Sequence, residues 1–234
     1  MPQQDPIRSR AHEDLILVDE DGHQDVFLWE HTDRVARSAG AIADLPEVPR
    51  DKLDLVALSA AALYHDAGWA VQFRSGQVQR HAILGKTTNR EQRRLAGELL
   101  MKQLHGMIET ESLRRARDCI EALNQRDPEL YEARVLHDAE SFDQIGPLLF
   151  WRLMRRQALD GKGVEAAIKD WETRKQYGYW DDQVEQFHFD AVRAAARRRL
   201  DKMDHLMAEL SRQHNGQDLV FDPFDRNSTP TPAP

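Results

Sequence analysis

Four side chains in this sequence are of metal-binding types and stand where such groups are otherwise unwelcome: His31, the adjacent His65 and Asp66, and Asp138. His31 lies in Val26-Phe-Leu-Trp-Glu-His-Thr-Asp-Arg-Val-Ala-Arg37, where steps of three and four place Leu28, His31, Val35 and Ile42 on one helical face. Asp138 interrupts a second stripe, in line with Tyr131, Val135, Phe142 and Ile145. His65 and Asp66 end a run, 51–66, that is apolar on nearly every side after its first turn, as in a helix at the centre of a domain. A single histidine or aspartate on an apolar face is usually satisfied by an ordinary hydrogen bond or ion pair. Four such groups from three helices are harder to explain that way, because a buried carboxylate is costly unless paired or coordinating. Two imidazoles and two carboxylates match the ligand set of a divalent transition metal with positions left open for water.

The elements that must position them are helices. Helical patterns recur at 26–44, 51–67, 90–105, 111–125, 129–145, 147–159, 163–176 and 182–212, with no convincing strand and no fixed repeat between them. Asp127 with Pro128 reads as the start of the helix carrying Asp138, and Gly68 as the stop of the central one. His65 and Asp66 are about 100° apart on a helix. They can share an ion only beyond the helix end, where the backbone dipole also favours a cation. The fold expected is all-α, a single multi-helix bundle over 25–213. A polar extension, 1–24, is expected before it and a Pro/Thr-rich tail without helix, 214–234, after it.

Composition narrows the function classes. Hydrophobic residues make up 41% of the 234, enough for a core without disulfides, while aromatics are only 7%. With 32 Lys+Arg against 40 Asp+Glu the net charge is −8, unsuited to indiscriminate binding of nucleic-acid polymers. The one cysteine, Cys119, reads as inert packing and permits neither an intrachain disulfide nor a cysteine zinc cluster. No signal-peptide pattern opens the chain, and its longest apolar run, 53–64, is short of the roughly 20 residues that span a bilayer. The expectation is a cytoplasmic protein without a membrane partner.

The order His31, then Leu63-Tyr-His65-Asp66-Ala-Gly68, then Val135-Leu-His-Asp138-Ala-Glu-Ser-Phe-Asp-Gln-Ile-Gly146 resembles the HD-domain superfamily of metal-dependent phosphohydrolases. The resemblance covers roughly 25–150, and 187–203 is similar to the closing helix of some members. It implies a helical bundle in which His31, His65, Asp66 and Asp138 hold one divalent ion (Mn, Fe, Co, Ni or Zn). It also implies hydrolysis of a small phosphoester, nucleotides among the candidates, by metal-activated water, with the carboxylates Asp66 and Asp138 holding ion and water and Asp66 as the catalytic one.

Departures from the family pattern sharpen the expectation. Of the two further histidines that serve a second metal in many members, His81 resembles the first, but Asn124-Gln125-Arg126 stands where the other belongs, and His105 falls in a turn. One strong site is therefore expected, with His81 lining the pocket or holding a second ion weakly. Ala67-Gly68-Trp69 replaces the carboxylate pair of the guanosine-tetraphosphate hydrolases, and the Gly-Tyr-Pro motif of the cyclic-di-GMP branch is absent. Gly85-Lys86-Thr87 looks like the end of a P-loop, but Arg80 occupies the leading glycine's position and no strand precedes it. Arg34, one turn beyond His31, is a candidate for binding phosphate, weighed against a surface ion pair with Glu30. The polar segment 68–88, carrying His81 and Lys86, is long enough to be a lid over the substrate. The aromatic set Trp69, Phe73, Trp151 and Trp171 reads as core or lid. Two other classes stay open: a di-iron oxygenase on the same scaffold, disfavoured by the incomplete histidine set, and a regulatory module that binds nucleotide or metal without turnover.

Overall fold

In the computed structural model, which describes residues 5–219, the chain forms the expected helical bundle. First come α1 (Pro6–Leu15), a two-residue hairpin of β1 (Leu17–Val18) and β2 (Gln24–Asp25), and α2 (Phe27–Ala43). Next are α3 (Leu55–Tyr64), α4 (Ala67–Arg74), α5 (Arg90–Gln103) and α6 (Thr110–Ala122). The chain continues through α7 (Tyr131–Asp143), α8 (Pro147–Leu159), α9 (Val164–Gln176), α10 (Tyr179–Glu185) and α11 (Asp190–His214).

The apolar α3 is the central element. Asp54 caps it, accepting from the N–H groups of Val56 and Ala57 at 3.0 and 2.9 Å. From Ala60 on, every side chain of α3 is buried, packed among α2, α5, α6 and α7. The chain then turns at His65–Asp66 rather than at Gly68, which lies inside α4. A Cβ on Gly68 would come within 2.0 Å of the Gln92 carbonyl oxygen. Glycine here is what lets α4 and α5 touch backbone to backbone, not a helix stop.

Three further boundaries differ from expectation. Residues 1–24 were expected to be a polar extension, and within them α1 buries Ala11 and Leu15, and Tyr64 of α3 donates to Asp14 at 2.7 Å. Its apolar face is Ile7, Ala11 and Leu15 at i, i+4, i+8, a single short stripe in an otherwise polar segment. The helix bearing Asp138 begins at Tyr131, with Asp127 instead paired to Arg134 at 3.0 Å. The long last helix is broken into α10 and α11 at 186–189, where Phe187 and Phe189 enter the main core. The expected tail, 214–234, lies outside the described residues from 220 on.

A second, smaller core joins α8 to α11 through Leu153, Ile168, Trp171, Trp180, Met203 and Met207. Trp69 and Trp171 are buried as expected; Trp151 is not, at 64% exposure. Among the described residues no helix is long and apolar enough to cross a membrane.

Candidate metal centre

Three of the four expected ligands come together. His31 from α2 and His65 and Asp66 from the α3–α4 turn are all essentially solvent-free. His31 Nε2 and His65 Nε2 are 3.3 Å apart, and Asp66 Oδ2 lies 3.4 and 3.6 Å from them. The neighbours decide which atoms face this point. His65 Nδ1 is 2.8 Å from the Ala62 carbonyl, which can only accept, so Nδ1 carries the proton and Nε2 presents a lone pair. His31 Nδ1 donates in the same way to Asp143 Oδ2 at 2.8 Å. Asp66 Oδ1 accepts from Thr88 Oγ1 at 2.7 Å and Arg93 Nη1 at 2.9 Å, leaving Oδ2 for the centre. Two imidazole nitrogens and a carboxylate oxygen facing one another need a positive charge among them, either a proton or a metal ion. The donor set fits a divalent transition metal.

The local electrostatics treat the two imidazoles differently. Burial pushes His65 toward the neutral form that ligates metal. His31 is also opposed by burial, but its bonds to Asp143 and Asp66 outweigh that and raise its pKa. Asp66 stays ionised: burial alone would protonate it, yet His65, Arg93 and His31 hold it well below the usual carboxylate range.

Asp138 is not brought to this trio. Its carboxylate accepts the backbone N–H of His188 at 2.9 Å and of Phe189 at 3.1 Å, and His188 Nδ1 lies 2.8 Å from Oδ1. With His137 it forms a separate group at the start of α11. The α7 acids beside the centre are Asp143, bonded to His31, and Glu140, which receives Arg93 Nη2 on both oxygens at 2.7 and 2.8 Å. Asp138 is about 200° around the helix from Glu140 and about 140° from Asp143. Because α7 is buried both toward α2 and α3 and toward α11, an inward-facing stripe did not say which interior each acid meets.

Arg34 is taken up within the protein. It donates to Asp143 Oδ1 at 2.8 Å and Oδ2 at 3.2 Å, so it bears on His31 through their shared carboxylate, and the expected partner Glu30 is not used. His105 lies exposed in the turn after α5. Asn124 lines a small cavity with Arg93, His137 and Glu140. Among the described residues His81 belongs to no cluster of potential metal ligands. Cys119 is buried, and burial raises its thiol pKa far above the usual value.

A cavity of about 310 Å³ has Asp66 and Glu140 in its wall. His81, Lys86 and Thr87 contribute from the α4–α5 connection; Arg152, Arg155 and Arg156 contribute from α8. The connection is held in place by Ile83 and Leu84, both buried, with Leu84 at a left-handed φ of 56°. Such a conformation is uncommon outside glycine and is kept only where packing enforces it. The segment expected as a lid is thus one wall of the pocket.

The HD domain family model matches residues 28–145, half of the chain. A search of curated proteins finds no match. Among solved structures, Bacillus subtilis YpgQ in complex with ADP is similar over 92% of this chain and 99% of its own, with TM-score 0.59 and 20% identity. A Lactobacillus plantarum protein matches over 90% and 95%, with TM-score 0.54 and 18% identity. A predicted HD superfamily hydrolase from an uncultured Thermotogales bacterium covers 90% of each chain, with TM-score 0.49 and 19% identity. The family model spans half of the chain and includes the His31 and His65-Asp66 motif, and the chain belongs to the HD domain family.

Proposed function

We propose that this protein is a metal-dependent phosphohydrolase acting on a small phosphoester, with nucleotides the first class to test. The observation that carries the reading is the placement of a convergent His-His-Asp donor set beside a cavity whose other walls are rich in cationic side chains. His31, His65 and Asp66 would hold the ion, with Glu140 rather than Asp138 as the second carboxylate beside it. When bound, a divalent ion in such a site supplies a water of lowered pKa and polarises a phosphoryl oxygen.

The chain's own groups do the rest. Asp143 and the Ala62 carbonyl keep both imidazoles in the ligating tautomer. Arg93 spans Asp66 and Glu140 and lowers the cost of holding two carboxylates together in the interior. Lys86 and His81, both exposed and lining the cavity, would receive the charged part of a substrate. The YpgQ structure with ADP supports nucleotides as a starting class. The test is elemental analysis of the purified chain, then a phosphoester panel in the metal found. Phosphate release that requires both the metal and Asp66 is expected. Stoichiometric metal with no turnover of any phosphoester would contradict the proposal, and oxygen-dependent turnover with iron would replace it.

A further inference from the structure

The cationic residues around the cavity are not equivalent. Arg155 is committed to Asp25 at 2.5 Å, while Arg174 and Arg156 lie 3.1 and 3.8 Å from Asp170. Arg152 is different. Among the described residues it has no carboxylate within ion-pair distance, and its one hydrogen bond is from Nη2 to the Leu84 carbonyl at 3.3 Å. Its Nη1 is buried and has no partner. Among the described residues the other buried guanidinium nitrogens without a hydrogen-bond partner are all Nε atoms, whereas Arg152 leaves a buried terminal nitrogen free in the wall it shares with Asp66 and Glu140.

A buried guanidinium without an anion is expensive, since the charge gives up water and gains no counter-charge. Burial indeed works against its protonation, opposed at a distance by Asp143, Asp66 and Glu140. The strained Leu84, whose carbonyl holds Nη2, makes the arrangement costlier still. The arrangement is explained if the counter-ion arrives with the substrate. Each terminal nitrogen carries two N–H groups, so Nη2, tied to Leu84 by one, still has the other to offer with those of Nη1 to two oxygens of a phosphoryl group.

We propose that Arg152 is a catalytic residue that binds the phosphoryl oxygens of the substrate beside the His31–His65–Asp66 centre. The assignment rests on the phosphohydrolase reading above and adds the residue that recognises the reacting group. It differs from the expectation for Arg34, whose guanidinium is already occupied by Asp143.

The experiment is calorimetric titration of the metal-loaded full chain with inorganic phosphate and with ADP, for wild type, Arg152→Gln and Arg152→Lys. Metal content and melting temperature are measured on the same samples. Arg152→Gln should keep its metal and melt no lower than wild type, yet bind both probes at least about 30-fold more weakly, as expected for losing a charge-assisted bidentate contact. Arg152→Lys should recover part of that loss, because it restores charge without the fork. Undiminished binding in Arg152→Gln would overturn the assignment alone. So would loss of metal or a lowered melting temperature in both variants, which would mark a structural role. Wild type that binds neither probe would overturn the phosphohydrolase reading, and the assignment with it.

Discussion

Asp143 Oδ2 sits 2.8 Å from His31 Nδ1, and that bond settles which nitrogen of His31 faces His65 and Asp66. The same carboxylate is gripped by Arg34, so two residues on α2 are organised by one on α7. Burial would raise the pKa of Asp143, but His31 and Arg34 hold it far below the usual carboxylate range, so it stays an acceptor at any ordinary pH.

Asp143→Asn should therefore weaken metal binding about 10- to 100-fold, the usual cost of losing a partner that orients a ligand. Helical content should be unchanged. Arg34→Ala should move metal affinity in the same direction while leaving phosphate binding by metal-loaded protein intact. Metal titration and circular dichroism on both variants check this, and unaltered affinity in Asp143→Asn would show that the bond has no such role.

Asp138→Ala should destabilise the fold by about 2–4 kcal/mol, since it strips acceptors from buried donors at the start of α11. Burial raises the pKa of Asp138, but hydrogen bonds from His137 and His188 and the backbone more than offset that and lower it. A depressed folded-state pKa contributes stability that is present above the unfolded value of about 3.9 and is lost as pH falls through the lower folded value. The stability gap between wild type and Asp138→Ala should accordingly be full at pH 6 and shrink below about pH 4. Denaturant melts across that range would read it.

The bundle, and the inward placement of His31, His65 and Asp66, were legible in the sequence because His31 broke an apolar stripe and His65-Asp66 ended a run apolar on nearly every side. Asp138 was legible as buried but not as to which neighbour it meets. Nothing in a one-helix pattern separates a stripe facing α11 from one facing α3. Glu140 was hidden for the complementary reason: it is three residues from Asp143, and a surface helix would carry the same two acids facing water. The packing of α1 rests on one short stripe, Ile7, Ala11 and Leu15, set among polar residues, and the role of Gly68 rests on a helix crossing that leaves no period to count.

Gly68→Ala tests that crossing. The added methyl meets backbone, which cannot rotate aside, so a loss of about 1–3 kcal/mol or more is expected. Forcing α4 from α5 also moves Thr88 and Arg93, the two groups that hold Asp66 Oδ1. Thermal melts should show a lowered midpoint together with weaker metal retention; an unchanged midpoint would mean the helices can part freely.

His81→Ala should leave metal content unchanged and raise the apparent KM by roughly tenfold, the worth of one hydrogen bond to a charged group. Wild-type kinetics in this variant would remove His81 from the substrate wall. Loss of a second tightly bound ion would instead restore it as a metal ligand.

The most direct measurement is metal content per chain for wild type, Asp66→Ala and Asp138→Asn, each confirmed folded by circular dichroism. The account predicts about one tightly held divalent ion in wild type, none in Asp66→Ala and about one in Asp138→Asn. Full occupancy in Asp66→Ala, or its loss in a folded Asp138→Asn, would contradict the centre drawn from His31, His65 and Asp66.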